Sequence, residues 1–132
     1  MNFTLTPEQQ EFQDAVSRFA EKELRPGAHQ RAHTDAYPWD VAKKMAAQGL
    51  LGITIAEADG GQGGTLMDAI IAIQAVAAHC PRSADVIQAG NFGAIRVLAE
   101  YGSVAQKASL MKPIAPDMRP VVRNISPLLE VM

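Results

Sequence analysis

The chain holds a single cysteine, Cys80, among 132 residues, which excludes an intrachain disulfide and agrees with a reducing compartment. It has no basic surplus: 12 Lys and Arg are scattered among 14 Asp and Glu, for a net charge of -2. A nucleic-acid surface needs clustered cations, so no nucleic-acid partner is expected, and an anionic membrane surface is disfavoured on the same ground. Long apolar runs are missing too. The longest, residues 69–78, is interrupted by Gln74 and falls well short of the roughly 20 residues that a membrane span requires. The start, Met1 to Thr4, shows no basic region followed by an apolar stretch, and Glu8 and Glu11 do not suit a transit peptide, so a cytoplasmic location is expected. Strand patterning is almost absent. Ile53-Thr54-Ile55 is the one candidate and is too short to found a sheet.

What is present is helical punctuation around a hydrophobic content of 48%, enough for one domain with its own core. Thr6-Pro7-Glu8-Gln9 reads as an N-cap threonine, a first-turn proline and a glutamine able to return to the cap. Phe12, Val16, Phe19 and Ala20 then recur at helical spacing, predicting a helix over 7–24 that Pro26-Gly27 stops. Residues 29–35 predict at most one loose turn. Pro38-Trp39-Asp40 opens a second helix with Val41, Ala42, Met45 and Ala46 inward, closed by a left-handed Gly49 with Leu50 folding back. Thr65 and Asp68 cap a third, 66–78, apolar nearly all round and therefore central. Ser83 is expected to cap a fourth, running to Tyr101 with Gly102 at its end. Ser103 to Gln106 opens a short fifth. Four prolines in the last twenty residues predict an extended or disordered tail over 115–132 after a domain over 1–114. The fold class expected is all-α: an orthogonal or up-down array of about five helices with one glycine-rich loop.

Chemistry is sparse in this pattern. Gly60-Gly61-Gln62-Gly63-Gly64-Thr65 precedes a helix, yet it lacks the Lys-Ser/Thr ending of a P-loop, and Met67 stands where a dinucleotide fingerprint needs its third glycine. It reads as a turn that re-aims the chain. His29, His33 and Asp35 lack a fourth metal anchor, so solvated histidines are expected and no metal site. His79-Cys80 at a helix end reads as a buried thiol beside a histidine pointing elsewhere, not as a nucleophile with its base. No catalytic residue is assigned. More pointed is the fourth helix, where Val86, Ala89, Gly90, Gly93 and Val97 gather on one face. Two interior glycines cost about 1 kcal/mol each against alanine. Either another helix packs closely there, or the missing side chains leave room for a ligand.

Taken in order, the Thr6-Pro-Glu-Gln-Gln10 start, Phe19-Ala-Glu-Lys-Glu-Leu-Arg-Pro26, a Trp39-bearing helix, Gly49-Leu-Leu-Gly-Ile53 through Gly60-Gly61, and Glu100-Tyr-Gly-Ser-Val-Ala-Gln-Lys107 resemble the N-terminal helical domain of the acyl-CoA dehydrogenase family, over residues 3–114. The resemblance implies a three-part enzyme, with a β-barrel-like middle domain and a C-terminal four-helix bundle, assembled as a dimer or tetramer. It implies FAD as cofactor and oxidation of an acyl-CoA thioester to its trans-2-enoyl form, a glutamate taking the α-proton while the flavin accepts the β-hydride. It also places Val86, Ala89, Gly90 and Gly93 on the acyl-binding side. The chain departs from the family at Ala56-Glu57-Ala58-Asp59, where a proline and two acidic residues are usual, and again after Ile114. The middle and C-terminal domains, with the catalytic glutamate and most flavin contacts, are not in these 132 residues. The function expected is therefore a substrate-pocket domain of an acyl-CoA dehydrogenase, incomplete for catalysis alone, with a partner chain or a lost remainder supplying the rest and a homo-oligomer or a partner subunit as the expected assembly. The alternative is a non-catalytic helical module that binds a hydrophobic ligand or self-associates.

Overall fold

Thr6 starts the first helix through a reciprocal cap, its hydroxyl accepting from Gln9 N–H at 3.2 Å while the Gln9 amide oxygen accepts from Thr6 N–H at 3.0 Å. The computed structural model describes residues 4–111, and the predicted tail over 115–132 lies outside them. α1 (Pro7–Phe19) runs on through one π-helical turn, Ala20–Leu24, where Arg25 N–H reaches back to Ala20 O at 2.8 Å. Pro26, with no N–H, ends it at the expected place. The polar stretch after it winds into a short α2 (Ala28–Ala32). α3 (Trp39–Ala47) closes on Gly49 at φ 72°, and Leu50 N–H folds back to Met45 O at 3.1 Å.

α4 (Leu66–Ala77) carries the second reciprocal cap, Thr65 with Asp68. It packs against α1 and α5 as a central helix, burying Ala69, Ile71, Ala72, Ala75 and Val76. Its first turns are not covered: Leu66, Met67 and Ile70 are 53%, 48% and 47% exposed.

The expected fourth helix is two helices. α5 (Pro81–Asn91) begins two residues before Ser83, because Pro81 occupies the first helical position and Cys80 the cap; Ser83 is buried and donates to Cys80 Sγ instead. The helix stops at Phe92, which is extended at φ −130° and ψ 177°, and Gly93 turns the chain at φ 67° and ψ −132° into α6 (Ala94–Tyr101). Only glycine reaches that second conformation without a Cβ clash, so Gly93 is a corner and not a helix interior. Gly102 is extended rather than left-handed, and Ser103 with Gln106 caps α7 (Val104–Leu110). The fold is all-α, with seven α-helices among the described residues where about five were expected; Ile53-Thr54-Ile55 lies in a turn and pairs with no strand.

Two apolar clusters result. The main one joins α1, α3, α4 and α5 with Leu50, Leu51 and Ile53. The smaller one is Ile55, Ile95 and Met111, with Leu98 and Ala99 packed on it. No described helix is long and apolar enough to cross a membrane.

Candidate functional site

The glycine-rich loop folds onto itself. Gly61, Gln62, Gly63 and Gly64 N–H groups donate to Ala56, Gly52, Ile55 and Ile53 carbonyls at 3.0, 3.0, 2.8 and 2.7 Å, and Thr65 N–H goes to Asp68. Donors that would cradle a phosphate are thus spent internally. The described residues of this loop do not fit a flavin or nucleotide pyrophosphate. The glycines serve close approach. A Cβ on Gly61 would stand 2.1 Å from Ile55 O.

This loop is riveted to the end of α5. Asn91 is fully buried; its Nδ2 donates to Leu50 O and Ile87 O, both at 2.9 Å, and its Oδ1 accepts from Thr54 N–H at 3.1 Å. Thr54 Oγ1 adds a bond to Asn91 O at 2.7 Å, and Gly52 N–H one to Gly90 O at 3.0 Å. The fully satisfied amide fixes where the loop crosses the helix end. Asn91 escaped the sequence reading; the one local signal for it is that asparagine, like glycine, favours helix ends.

The four residues expected on a ligand face divide accordingly. Val86 is buried in the main cluster. Gly90 is closed by Leu51, whose Cδ2 would lie 3.0 Å from an added Cβ. Ala89 is half-buried, and Gly93 is exposed with nothing within 4 Å of its Cβ position. The helix break therefore separates residues that an unbroken helix would have aligned. Two open grooves elsewhere, one with Phe19, Lys44 and Gln48 and another with Phe12, Leu50 and Ile53, include none of the four.

The remaining polar candidates have local partners. The rings of His29 and His33 lie 4.5 Å apart and tilted by 47° on an exposed surface, and no cluster of three potential metal ligands occurs among the described residues. His79 Nε2 lies 3.0 Å from Ser17 Oγ. Cys80 is fully buried; burial raises its thiol pKa, but hydrogen bonds from Ser83 and the Arg31 guanidinium at 3.8 Å outweigh it and hold the thiol below its usual value. Arg31 also bridges from α2 to the carbonyls of Leu24 and Pro26, satisfying the end of α1. Tyr37, tilted against Trp39, has its phenol pushed up to about 12 by burial, partly offset by the charge of Arg82.

Comparison with known proteins agrees with this architecture. The family model described as acyl-CoA dehydrogenase, N-terminal domain, matches residues 6–117. The chain is similar to the 3-sulfinopropanoyl-CoA desulfinase of Paraburkholderia xenovorans, 29% identical over 120 residues, covering 91% of this chain and 31% of that protein. It is 31% identical over 115 residues to the short-chain-specific acyl-CoA dehydrogenase of Clostridium acetobutylicum, covering 87% and 30%. It is 33% identical over 111 residues to the NADH-dependent acryloyl-CoA reductase of Anaerotignum propionicum, covering 84% and 28%. A chain in the solved structure of the electron transferring flavoprotein of Acidaminococcus fermentans superposes with a TM-score of 0.77 at 28% identity, covering 89% of this chain and 31% of that one. The chain thus spans about three-tenths of the length of the relatives it matches. A family match over most of the sequence, on a helical fold with the expected caps and loop, makes this chain a member of the acyl-CoA dehydrogenase family, carrying its N-terminal domain.

Proposed function

We propose that the chain is the helical lobe that walls the acyl group in an FAD-dependent acyl-CoA dehydrogenase, and that it does not complete the reaction alone. The observation that carries this reading is the corner between α5 and α6. There Ala89 and Gly93 present little side-chain bulk, and apart from its chain neighbours nothing of the described chain stands within 4 Å of the Gly93 Cβ position. In this reading Ala89 and Gly93 meet the acyl chain, while Val86 and Gly90 form the packed layer behind them. The Asn91 rivet holds that wall against the loop. An acyl group needs a smooth apolar boundary more than it needs polar partners, which agrees with the lack of a catalytic constellation here.

FAD in the complete enzyme would supply the electron sink. The glycine loop's spent donors support the view that its phosphates rest on other domains. Two apolar surfaces, Leu66, Met67 and Ile70 on α4 and Val97, Tyr101 and Val104 on α6 and α7, support contact with further domains or with other subunits in a homo-oligomer. Interfaces of that kind cover on the order of 600–1,500 Å2. A cytoplasmic location fits the free, buried Cys80.

The test is a chimera in which residues 6–117 replace the matching segment of the Clostridium acetobutylicum enzyme. The chain alone should carry no flavin absorbance, whereas the chimera should bind flavin and reduce an electron-accepting dye with acyl-CoA. A folded, flavin-loaded chimera that turns over no acyl-CoA would overturn the reading.

A further inference from the structure

Three observations around the corner at Gly93 belong together. The small cluster of Ile55, Ile95 and Met111 stands apart from the main one. The outward faces of α6 and α7 are bare, with Val97, Tyr101 and Val104 at 58%, 76% and 88% exposure. The link between α5 and α6 is an extended Phe92 followed by a glycine at φ 67° with open space beside it.

We propose that α6 and α7 form a flap that swings open about Gly93 while the rest of the fold stays closed. The fixed side of the hinge is Asn91, bonded to Leu50, Ile87 and Thr54, together with Gly90 beneath Leu51 and bonded to Gly52. The moving side is held by burial of Ile95 and Met111 on Ile55 and by the ion pair from Lys107 Nζ to Asp59 Oδ2 at 3.4 Å, whose side chains are 27% and 23% exposed. Opening breaks those contacts and leaves the main cluster intact. Regions with few buried apolar contacts open at lower free energy than the whole molecule. A glycine corner lets the backbone turn without steric penalty on the moving side. The flap rests on geometry alone, so its failure would leave the acyl-CoA reading standing.

Native-state hydrogen exchange on the full chain tests this. Amides from Val97 through Leu110 should exchange at least about a hundredfold faster than those buried in α4 and α5. The step in protection should fall between Phe92 N–H, bonded to Gln88 O, and Val97 N–H, bonded to Gly93 O, with Gly52 and Thr54 remaining slow. Val41→Ala, in the main cluster, should speed exchange in α4 and α5 and leave α6 and α7 unchanged, because flap opening does not break that cluster. Lys107→Ala, at the partly exposed ion pair, should speed α6 and α7 by about 2- to 5-fold without unfolding the chain. Equal protection in both regions overturns the flap. So does acceleration of both by Val41→Ala, or a gradual loss of protection from α7 into α6 with no step at the corner.

Discussion

Replacing Asn91 by alanine should be among the most damaging single changes in this chain. Three side-chain hydrogen bonds disappear, to Leu50 O, Ile87 O and Thr54 N–H. Each contributes about 1 kcal/mol net, and a buried carbonyl or N–H deprived of its partner costs about 1–3 kcal/mol more. Thr54 is only half-buried and can recruit water, whereas Leu50 is buried at 3% exposure. The expected loss is therefore about 3–5 kcal/mol, a large share of the roughly 5–15 kcal/mol available to a domain. With a urea slope of about 1.5 kcal/mol per molar, the unfolding midpoint should fall by about 2–3 M. Asn91→Asp should do no better, since it trades two donors for a carboxylate facing carbonyl oxygens. Gln88→Ala, on the exposed face of the same helix, serves as control and should move stability by less than about 0.5 kcal/mol. A midpoint for Asn91→Ala within about 0.5 M of that control would refute the rivet.

Gly61→Ala puts a Cβ against the Ile55 carbonyl, where backbone must shift; a loss above about 2 kcal/mol is expected in the same urea assay. Thr65→Ala removes a reciprocal cap from the central helix and should cost about 1 kcal/mol, read as a drop of about 4–6 °C in thermal midpoint, with Thr65→Ser near wild type. Tyr37 should ionise only near pH 12 in the folded chain, seen by ultraviolet difference absorbance. Its folded value lies above the unfolded value of about 10, so between those limits the unfolded state has lost a proton that the folded state keeps, and stability should fall as pH rises from 10 to 12. Tyr37→Phe should flatten that decline.

Local chemistry made much of this fold readable. Thr6 with Gln9, Thr65 with Asp68 and Ser103 with Gln106 each form the reciprocal cap that their spacing announces, and Pro26 and Gly49 stop helices where a missing N–H or a positive φ requires. The corner at Phe92 and Gly93 was not readable, because apolar and small residues at 86, 89, 90, 93 and 97 keep helical spacing straight through it. Periodicity reports which residues would share a face if the helix continued; it does not report whether it continues. Gly93 carries no helix-interior cost, because it lies outside both helices and supplies the backbone angle of the corner. At Gly90 a close approach does occur, but it is made by Leu51 of the loop and not by another helix. That partner comes from the far side of two helices, and no local pattern encodes a long-range pairing of this kind. The same limit hid Asn91, whose partners Leu50 and Thr54 sit in the loop.

The wall assigned to the acyl group is tested most directly by the acyl-length profile of the chimera carrying Ala89→Leu. Ala89 is a half-buried helical position beside the corner and leucine is a strong helix former, so the change adds bulk to the proposed wall and removes neither a cap nor an Asn91 bond. The account predicts that kcat/KM falls at least about tenfold for the longest acyl-CoA accepted and stays within about twofold for the shortest, since lost room at an apolar wall is worth about 1–3 kcal/mol per methylene. A profile that keeps its shape, with flavin content unchanged, would contradict it.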